Sequence, residues 1–219
     1  MSRGLHGFGL SEEPGPRGGI AGVVALGDRG PDPSIVESMM RSLAGRLGHA
    51  WGFYVDERVG FGVTRPSVTE CQHPNHPATN EDGSVRVVLD GTIRNARDIR
   101  RELLATGHRF RTDSSAEVIA HAWEEYGDQC IGRFAGLFAW ALWDQRRRQL
   151  FLARNNVGGK PLYCAVAESW LIFASDWRAV IMHPALTRQQ DVVSVPRSML
   201  IDVDAIAASL ADERRVRAV

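Results

Sequence analysis

From Phe134 to Asp176 the chain reads FAGLFAWALWDQRRRQLFLARNNVGGKPLYCAVAESWLIFASD, and no other stretch constrains the fold as tightly. Three apolar runs stand in it, AGLFAWALWD, QLFLAR and WLIFAS, each rich in aromatic and aliphatic residues and too short for a helix of ordinary length. They read as buried strands of a meander. Between the second and third lies Asn155-Asn156-Val157-Gly158-Gly159-Lys160-Pro161. Asn and Gly tolerate positive φ and Pro161 fixes its own, so the chain makes a specified, sharp turn there before PLYCAV.

Upstream, residues 1–17 are rich in Gly, Pro and Glu without periodicity, the composition of a disordered or loosely laid lead. GGIAGVVAL, residues 18–26, is the first strand. Gly30-Pro31-Asp32-Pro33 breaks it, and Ile35, Val36, Met39, Met40, Leu43 and Leu47 fall on one face of a helix starting near Ser34. WGFYVD and RVGFGVTR read as a hairpin and VRVVLDG as a further strand. Ile99, Leu103 and Leu104 mark a short helix ending at Gly107. Val118, Ile119, Ala122, Trp123 and Tyr126 mark a second, with Ser114-Ser115 as its candidate cap. A last helix, from about Val203 to Val216, carries Ile206, Ala207 and Leu210 on one side and Asp212, Glu213, Arg214 and Arg215 on the other. Helices bracket strands that are mostly hairpin-linked, which argues a layered α+β fold rather than a parallel α/β one.

Composition narrows the function classes. The 219 residues, 44% hydrophobic and 24% charged, fit one globular domain with a full core, or a domain with a tail. A net charge of zero argues against nucleic acid or an anionic membrane as partner, because either selects a basic excess or stripe. Three scattered cysteines, Cys71, Cys130 and Cys164, make no disulfide framework, so a reducing cytoplasm is the expected home. No apolar run approaches a membrane span, and MSRGLHGFGLSEEPGPRG lacks a signal peptide's apolar core. Lys160 is the lone lysine in an Arg-dominated chain, a composition pointing to a GC-rich bacterial genome. A lone Lys in GGKPLY suits a compact ammonium on a flexible stem, and the expected role is structural, packed on the meander and paired locally.

The ordered runs FAGLFAWALWD, LFLARNNVGGKPLY and LIFASDWRAV resemble the glutaminase domain of asparagine synthetases, a class II glutamine amidotransferase, whose pattern there is GMFAFALWD, LFLARD..G.KPLYY and FASE.KAL. The resemblance covers about residues 18–185, between the lead at 1–17 and a tail at 186–219. It implies the four-layer αββα sandwich of N-terminal-nucleophile hydrolases, two mainly antiparallel sheets between helices.

The family's chemistry carries over only in part. Its glutaminases begin at CGIAG, where the cysteine thiol attacks the glutamine amide and its own α-amine serves as base. Here that run is Gly18-Gly19-Ile20-Ala21-Gly22, and Gly18 has no nucleophile to offer. Losing a covalent nucleophile removes about 10⁶ of the rate in enzymes that depend on one. NGEIYN becomes Asp90-Gly91-Thr92-Ile93-Arg94-Asn95. The family's first Asn side chain and the Gly N–H form its oxyanion hole, whereas an ionised Asp90 offers only acceptors, at a cost on the order of 3 kcal/mol. The Asp expected to hold the substrate amine is Ser115 in Ser114-Ser115-Ala116-Glu117-Val118. Arg65, in RPSVTE, matches the arginine that grips the glutamine α-carboxylate, a task suited to a bidentate guanidinium. The substrate-binding candidates are therefore Arg65, Asp90, Gly91, Ser115 and Glu117. If the pocket has been rebuilt for new chemistry, its candidate catalytic residues are Asp90, His49 and Glu117.

Other motifs carry less. Arg29-Gly30-Pro31-Asp32 spells part of the family's HRGPD but precedes the helix, and reads as a turn. Cys71, His73 and His76 have ligand types but no fourth ligand at a known spacing, and a Pro-rich surface loop accounts for them. His121 reads as a partly buried helix histidine. No metal and no cofactor are expected. The reading is of a degenerate amidotransferase-like domain without glutaminase activity, a pseudoenzyme binding a partner or a small carboxylate or amino-acid-like ligand. The sequence ends before any synthetase segment, so the expected partner is a second copy or a separately encoded ligase or biosynthetic enzyme. The alternative is a repurposed enzyme with new chemistry in the old pocket, in bacterial specialised metabolism.

Overall fold

The alternation of apolar residues along the strands sorts the chain into layers. In the computed structural model, which describes residues 5–11, 19–44, 49–66, 77–155, 160–186 and 191–217, twelve strands and five α-helices are assigned among those residues. In chain order they are β1 (Leu5–Ser11), β2 (Gly19–Ala25), α1 (Pro33–Ala44), β3 (His49–Val55), β4 (Val59–Pro66), β5 (Ala78–Thr79) and β6 (Val85–Ile93). Then come α2 (Ala96–Ala105), α3 (Ser115–Tyr126), a 3-10 helix (Gly127–Arg133), β7 (Gly136–Asp144), β8 (Gln149–Arg154), β9 (Tyr163–Ala167) and β10 (Trp170–Ala174). Last are α4 (Trp177–Val180), β11 (Val193–Ser194), β12 (Ser198–Asp202) and α5 (Val203–Arg217).

The strands form two antiparallel sheets, one of seven in the order β1-β3-β4-β2-β10-β9-β11 and one of five in the order β12-β8-β7-β6-β5. Side chains of a strand alternate between its faces, and the cores follow that rule. On β6, Val85, Val87 and Leu89 enter the core beneath α2 and α3, while Val88 enters the core between the sheets. On β7, Phe138, Trp140 and Leu142 face the helices, and Ala139, Ala141 and Trp143 face the other sheet. A third core joins α1 and α4 to the outer face of the seven-stranded sheet through Met39, Met40, Ala21, Val23, Ile172 and Val180. The result is the expected four-layer αββα sandwich. Trp123, Trp140 and Trp143 are almost wholly buried.

Local chemistry sets the element ends. Asp32 Oδ1 accepts from Ser34 N at 2.8 Å and Pro33 occupies the first turn of α1, so the RGPD segment is the turn its composition predicts and, beyond that, caps the helix. Ser114 caps α3 by accepting from Ala116 N. The helix α1 lies close on β4 because that strand's outward positions there are Gly60 and Gly62. A Cβ on either would stand 2.5 Å from Val36 or 2.2 Å from Met40.

Four expectations change. The runs between 134 and 176 are two hairpins in different sheets, not one meander: β7 pairs with β8 in the five-stranded sheet, and β9 with β10 in the seven-stranded one. Two-sided burial left this open to the tertiary packing, since strands that are apolar on both faces are satisfied in either sheet. The lead is not loose throughout, because Leu5–Ser11 pairs with β3 along its whole length and completes an edge whose backbone groups need partners. Nor does the domain stop at residue 185: β11 pairs with β9, and β12 pairs with β8. Leu104 is half exposed rather than core-facing.

Candidate functional site

The sheet split is what builds the site. After β8 the chain must cross from one sheet to the other to begin β9, and the crossing segment carries Lys160. Its start is pinned where Asn155 N donates to Phe138 O at 3.0 Å and Asn155 Nδ2 donates to Gly136 O. Asp90, two residues after Val88 on β6, shares that residue's inward face and is 9% exposed. The Lys160 ammonium stands 2.9 Å from Asp90 Oδ1. The expected local pairing of Lys160 is thus corrected, because its partner lies on β6 of the five-stranded sheet, far away along the chain. The signal available in sequence was the lone lysine; the partner is defined only by the crossing.

Gly91 follows with φ of +109°, and a Cβ there would lie 2.1 Å from Leu137 O. Only glycine fits, for a reason of backbone approach between β6 and β7 that is independent of any ligand. Gly18 lies outside the described residues. The strand that follows it is anchored: Gly19 O accepts from Thr64 Oγ1 at 3.3 Å, and Ile20 N donates to Ser175 Oγ at 3.0 Å. His49 and Arg65 are placed by backbone only, paired with Pro66 and Ala50 in the β3–β4 hairpin. Cys71, His73 and His76 lie outside the described residues.

Ser115 stands half-buried in the first turn of α3. Glu117 does not join Asp90. It is 3% exposed on the helix layer, where its carboxylate accepts from Arg111 N at 2.6 Å, Thr112 N at 2.8 Å and Thr112 Oγ1 at 2.5 Å. That set of donors fixes the approach to α3 and leaves Glu117 on the opposite face of the five-stranded sheet from Asp90. The expected catalytic grouping of Asp90 with Glu117 is corrected on that ground. Two clefts of about 200 Å³ are lined by other residues, one by Ser84, Trp123, Glu124 and Asp144, the other by Arg29, Asp32, Trp170 and His183.

No described cysteine replaces a nucleophile at Gly18. Cys130 and Cys164 are both buried; burial pushes the Cys130 thiol up to about 12 and holds Cys164 above its ordinary value, so both remain thiols near neutrality. The arrangement on the inner face is an ion pair, a carboxylate answered by an ammonium, with the ammonium side chain one-third exposed.

The sequence matches the glutamine amidotransferase domain family over residues 18–216. It is similar to asparagine synthetase (glutamine-hydrolyzing) 2 of Bacillus subtilis (strain 168), 33% identical over 174 residues that make up 78% of this chain and 23% of that one. Asparagine synthetase (glutamine-hydrolyzing) 3 of the same organism is 32% identical over 168 residues, 76% of this chain and 25% of the other. The chain therefore spans about a quarter of the length of these relatives, which are 23% and 25% covered. Among solved structures, the allosteric regulatory enzyme of purine biosynthesis superposes with a TM-score of 0.61 at 17% identity, over 84% of this chain and 47% of that one. Glutamine phosphoribosylpyrophosphate amidotransferase from B. subtilis, complexed with ADP and GMP, gives 0.54 at 17% identity, over 91% and 47%. At such identities the likeness is one of fold.

Proposed function

This chain belongs to the glutamine amidotransferase domain family, and we propose that it is a member without glutaminase activity, serving as a binding or accessory subunit for an amide-forming or other biosynthetic enzyme. The observation that carries the reading is the Asp90–Lys160 pair, 2.9 Å apart where the family's pattern has the oxyanion-holding Asn beside glycine. A carboxylate there presents acceptors to a developing oxyanion, and its charge is engaged by Lys160. Gly18 at the nucleophile position supports the same reading independently. The intact sandwich around these replacements is what a retained binding role requires. The repurposed-enzyme reading loses the convergence of Asp90 and Glu117 on which it leaned.

The test is glutamate release from glutamine by the purified full chain, measured with the Asp90→Asn and Lys160→Ala variants beside it. No release above the rate of heat-inactivated protein is expected from any of the three. Release by the unmodified chain that disappears in Asp90→Asn would overturn the proposal.

A further inference from the structure

On the outer face of the five-stranded sheet, Glu81, His108, His121 and Glu124 each bring one ligand atom to a common spot, all four atoms within 4.8 Å of one another. Glu81 comes from the turn between β5 and β6, and His108 from the segment after α2. His121 and Glu124 come from α3, where a spacing of three residues puts them on one helix face. His121 is 0% exposed, and neither of its ring nitrogens makes a hydrogen bond; Glu124 Oε2 is likewise buried and unpartnered. An imidazole sealed from water with both nitrogens unanswered is destabilising unless something else answers them.

The second oxygen of each carboxylate is already held. Glu124 Oε1 accepts from Asn80 Nδ2 at 2.8 Å, and Glu81 Oε1 accepts from Arg109 N at 2.8 Å. The remaining oxygens face His121 Nδ1, Glu81 Oε2 at 3.2 Å and Glu124 Oε2 at 3.5 Å. Both are near enough for a hydrogen bond, yet neither is aligned for one. Ligand atoms about 2.0–2.2 Å from a tetrahedral centre stand roughly 3.3–3.6 Å from each other, close to the distances of His121 Nδ1 from the two carboxylate oxygens, and all four ligand atoms fall within 4.8 Å of one another. His108 places Nδ1 3.6 Å from Glu81 Oε1 and turns Nε2 toward Glu125 Oε2 at 3.4 Å. His121 Nε2 lies 3.7 Å from Glu117 Oε1, whose carboxylate is itself fixed by three donors. A carboxylate on that side of the ring, beyond hydrogen-bond distance here, stands where the outer-shell partner of a ligating imidazole is found.

We propose that Glu81, His108, His121 and Glu124 form a structural binding site for a divalent transition metal of the zinc type. Two imidazoles with two carboxylates suit that ion over calcium or magnesium, which take oxygen ligands, and four protein ligands make a closed site rather than a catalytic one. Bound there, the metal ties the β5–β6 turn and the segment after α2 to α3, on the far side of the sheet from Asp90. The ligands come from three separate segments, and only His121 and Glu124 share a sequence spacing, so the sequence does not announce the four together.

The experiment uses the full chain, stripped with chelator and titrated with Zn²⁺ by calorimetry and with Co²⁺ by visible absorption. One Zn²⁺ per chain, tetrahedral Co²⁺ bands, and a melting temperature that rises with Zn²⁺ are expected. His121→Gln and Glu124→Gln should abolish all three signals, while Asn80→Ala, which removes the amide donor to Glu124 Oε1 together with bonds to Ser84 Oγ and Val85 N, should weaken Zn²⁺ binding about 10-fold. If His121→Gln does not fold, His108→Gln, at the partly exposed side of the cluster, should show the loss. A Cys71→Ser/His73→Gln/His76→Gln chain should bind Zn²⁺ as before. Folded protein with no Co²⁺ bands and no Zn²⁺-dependent change in melting temperature would overturn the proposal. So would binding that survives His108→Gln and Glu124→Gln but is lost in the triple variant.

Discussion

Asp90 and Lys160 illustrate how a single substitution can change the meaning of a pocket. An Asn at this position is a neutral group with a donor to offer; an Asp is a charge that needs an answer inside a protein. Lys160 supplies it at 2.9 Å. Removing the lysine leaves Asp90, 9% exposed, without that partner. Lys160→Ala is expected to destabilise the fold by about 1–3 kcal/mol in denaturant unfolding, an amount tempered by the exposure of the ammonium. A loss within error of zero would mean the pair is incidental. A second residue sets a pH dependence. Burial lowers the His183 imidazole to about 4 from an ordinary 6.5, and its Nδ1 accepts from Ala185 N at 3.2 Å, which requires the neutral ring. Below pH 6.5 the unfolded chain binds a proton that the folded chain refuses until about 4. The stability His183 contributes is therefore full above 6.5 and falls as pH drops toward 4, with a slope of at most about 1.4 kcal/mol per pH unit. His183→Gln should flatten that part of a stability-against-pH curve measured from pH 4 to 7; an unchanged slope would exclude His183 as its source.

At the scale of elements, the C-terminal helix repays closer reading. Its amphipathic pattern is plain in the sequence, but a pattern does not say what the apolar face meets. The structure shows Ile206, Ala207 and Leu210 packed, with Met199 of β12, against the core between the sheets. Arg148 and Asp204 form an ion pair that ties the β7–β8 turn to the first turn of α5. Deleting residues 200–219 thus removes most of an edge strand and uncovers one end of the inner core. The melting temperature should fall by about 5 °C or more. A truncated chain that melts with the full-length protein would show that α5 contributes little to the inner core.

Across the whole molecule, the accessory-subunit proposal makes a demand that the fold alone does not meet. Trp177, Ile181 and Met182, on α4 and the turn after it, are each about half exposed, apolar residues close in sequence that a partner could cover. The proposal expects a homodimer or a stable complex with a biosynthetic enzyme. Light scattering of the full chain, alone and mixed with candidate enzymes, tests it. A monomer at all concentrations with no partner among them would count against the proposal.

Much of this architecture is legible in the residues. The alternation in VRVVLD and GLFAWALWD, the turn at Gly30-Pro31-Asp32-Pro33, and the cap at Ser114 are local facts, written in neighbouring residues and the periods of strand and helix. So the α+β layering, the helix positions and most strands follow from sequence, and the glycine at position 18 needs no coordinates to argue against a nucleophile. What sequence could not decide was every choice between equivalent partners. Doubly apolar strands fit either sheet, so the division of one apparent meander into two hairpins was settled by packing. That division in turn aimed Lys160 at Asp90. The same holds for Glu117, which local donors turned away from the pocket, and for the four-residue cluster around His121, whose members meet only because three segments cross the same face. Local order follows from the sequence because its interactions span a few residues; the site chemistry had to wait for the tertiary structure because its interactions join residues that are distant along the chain.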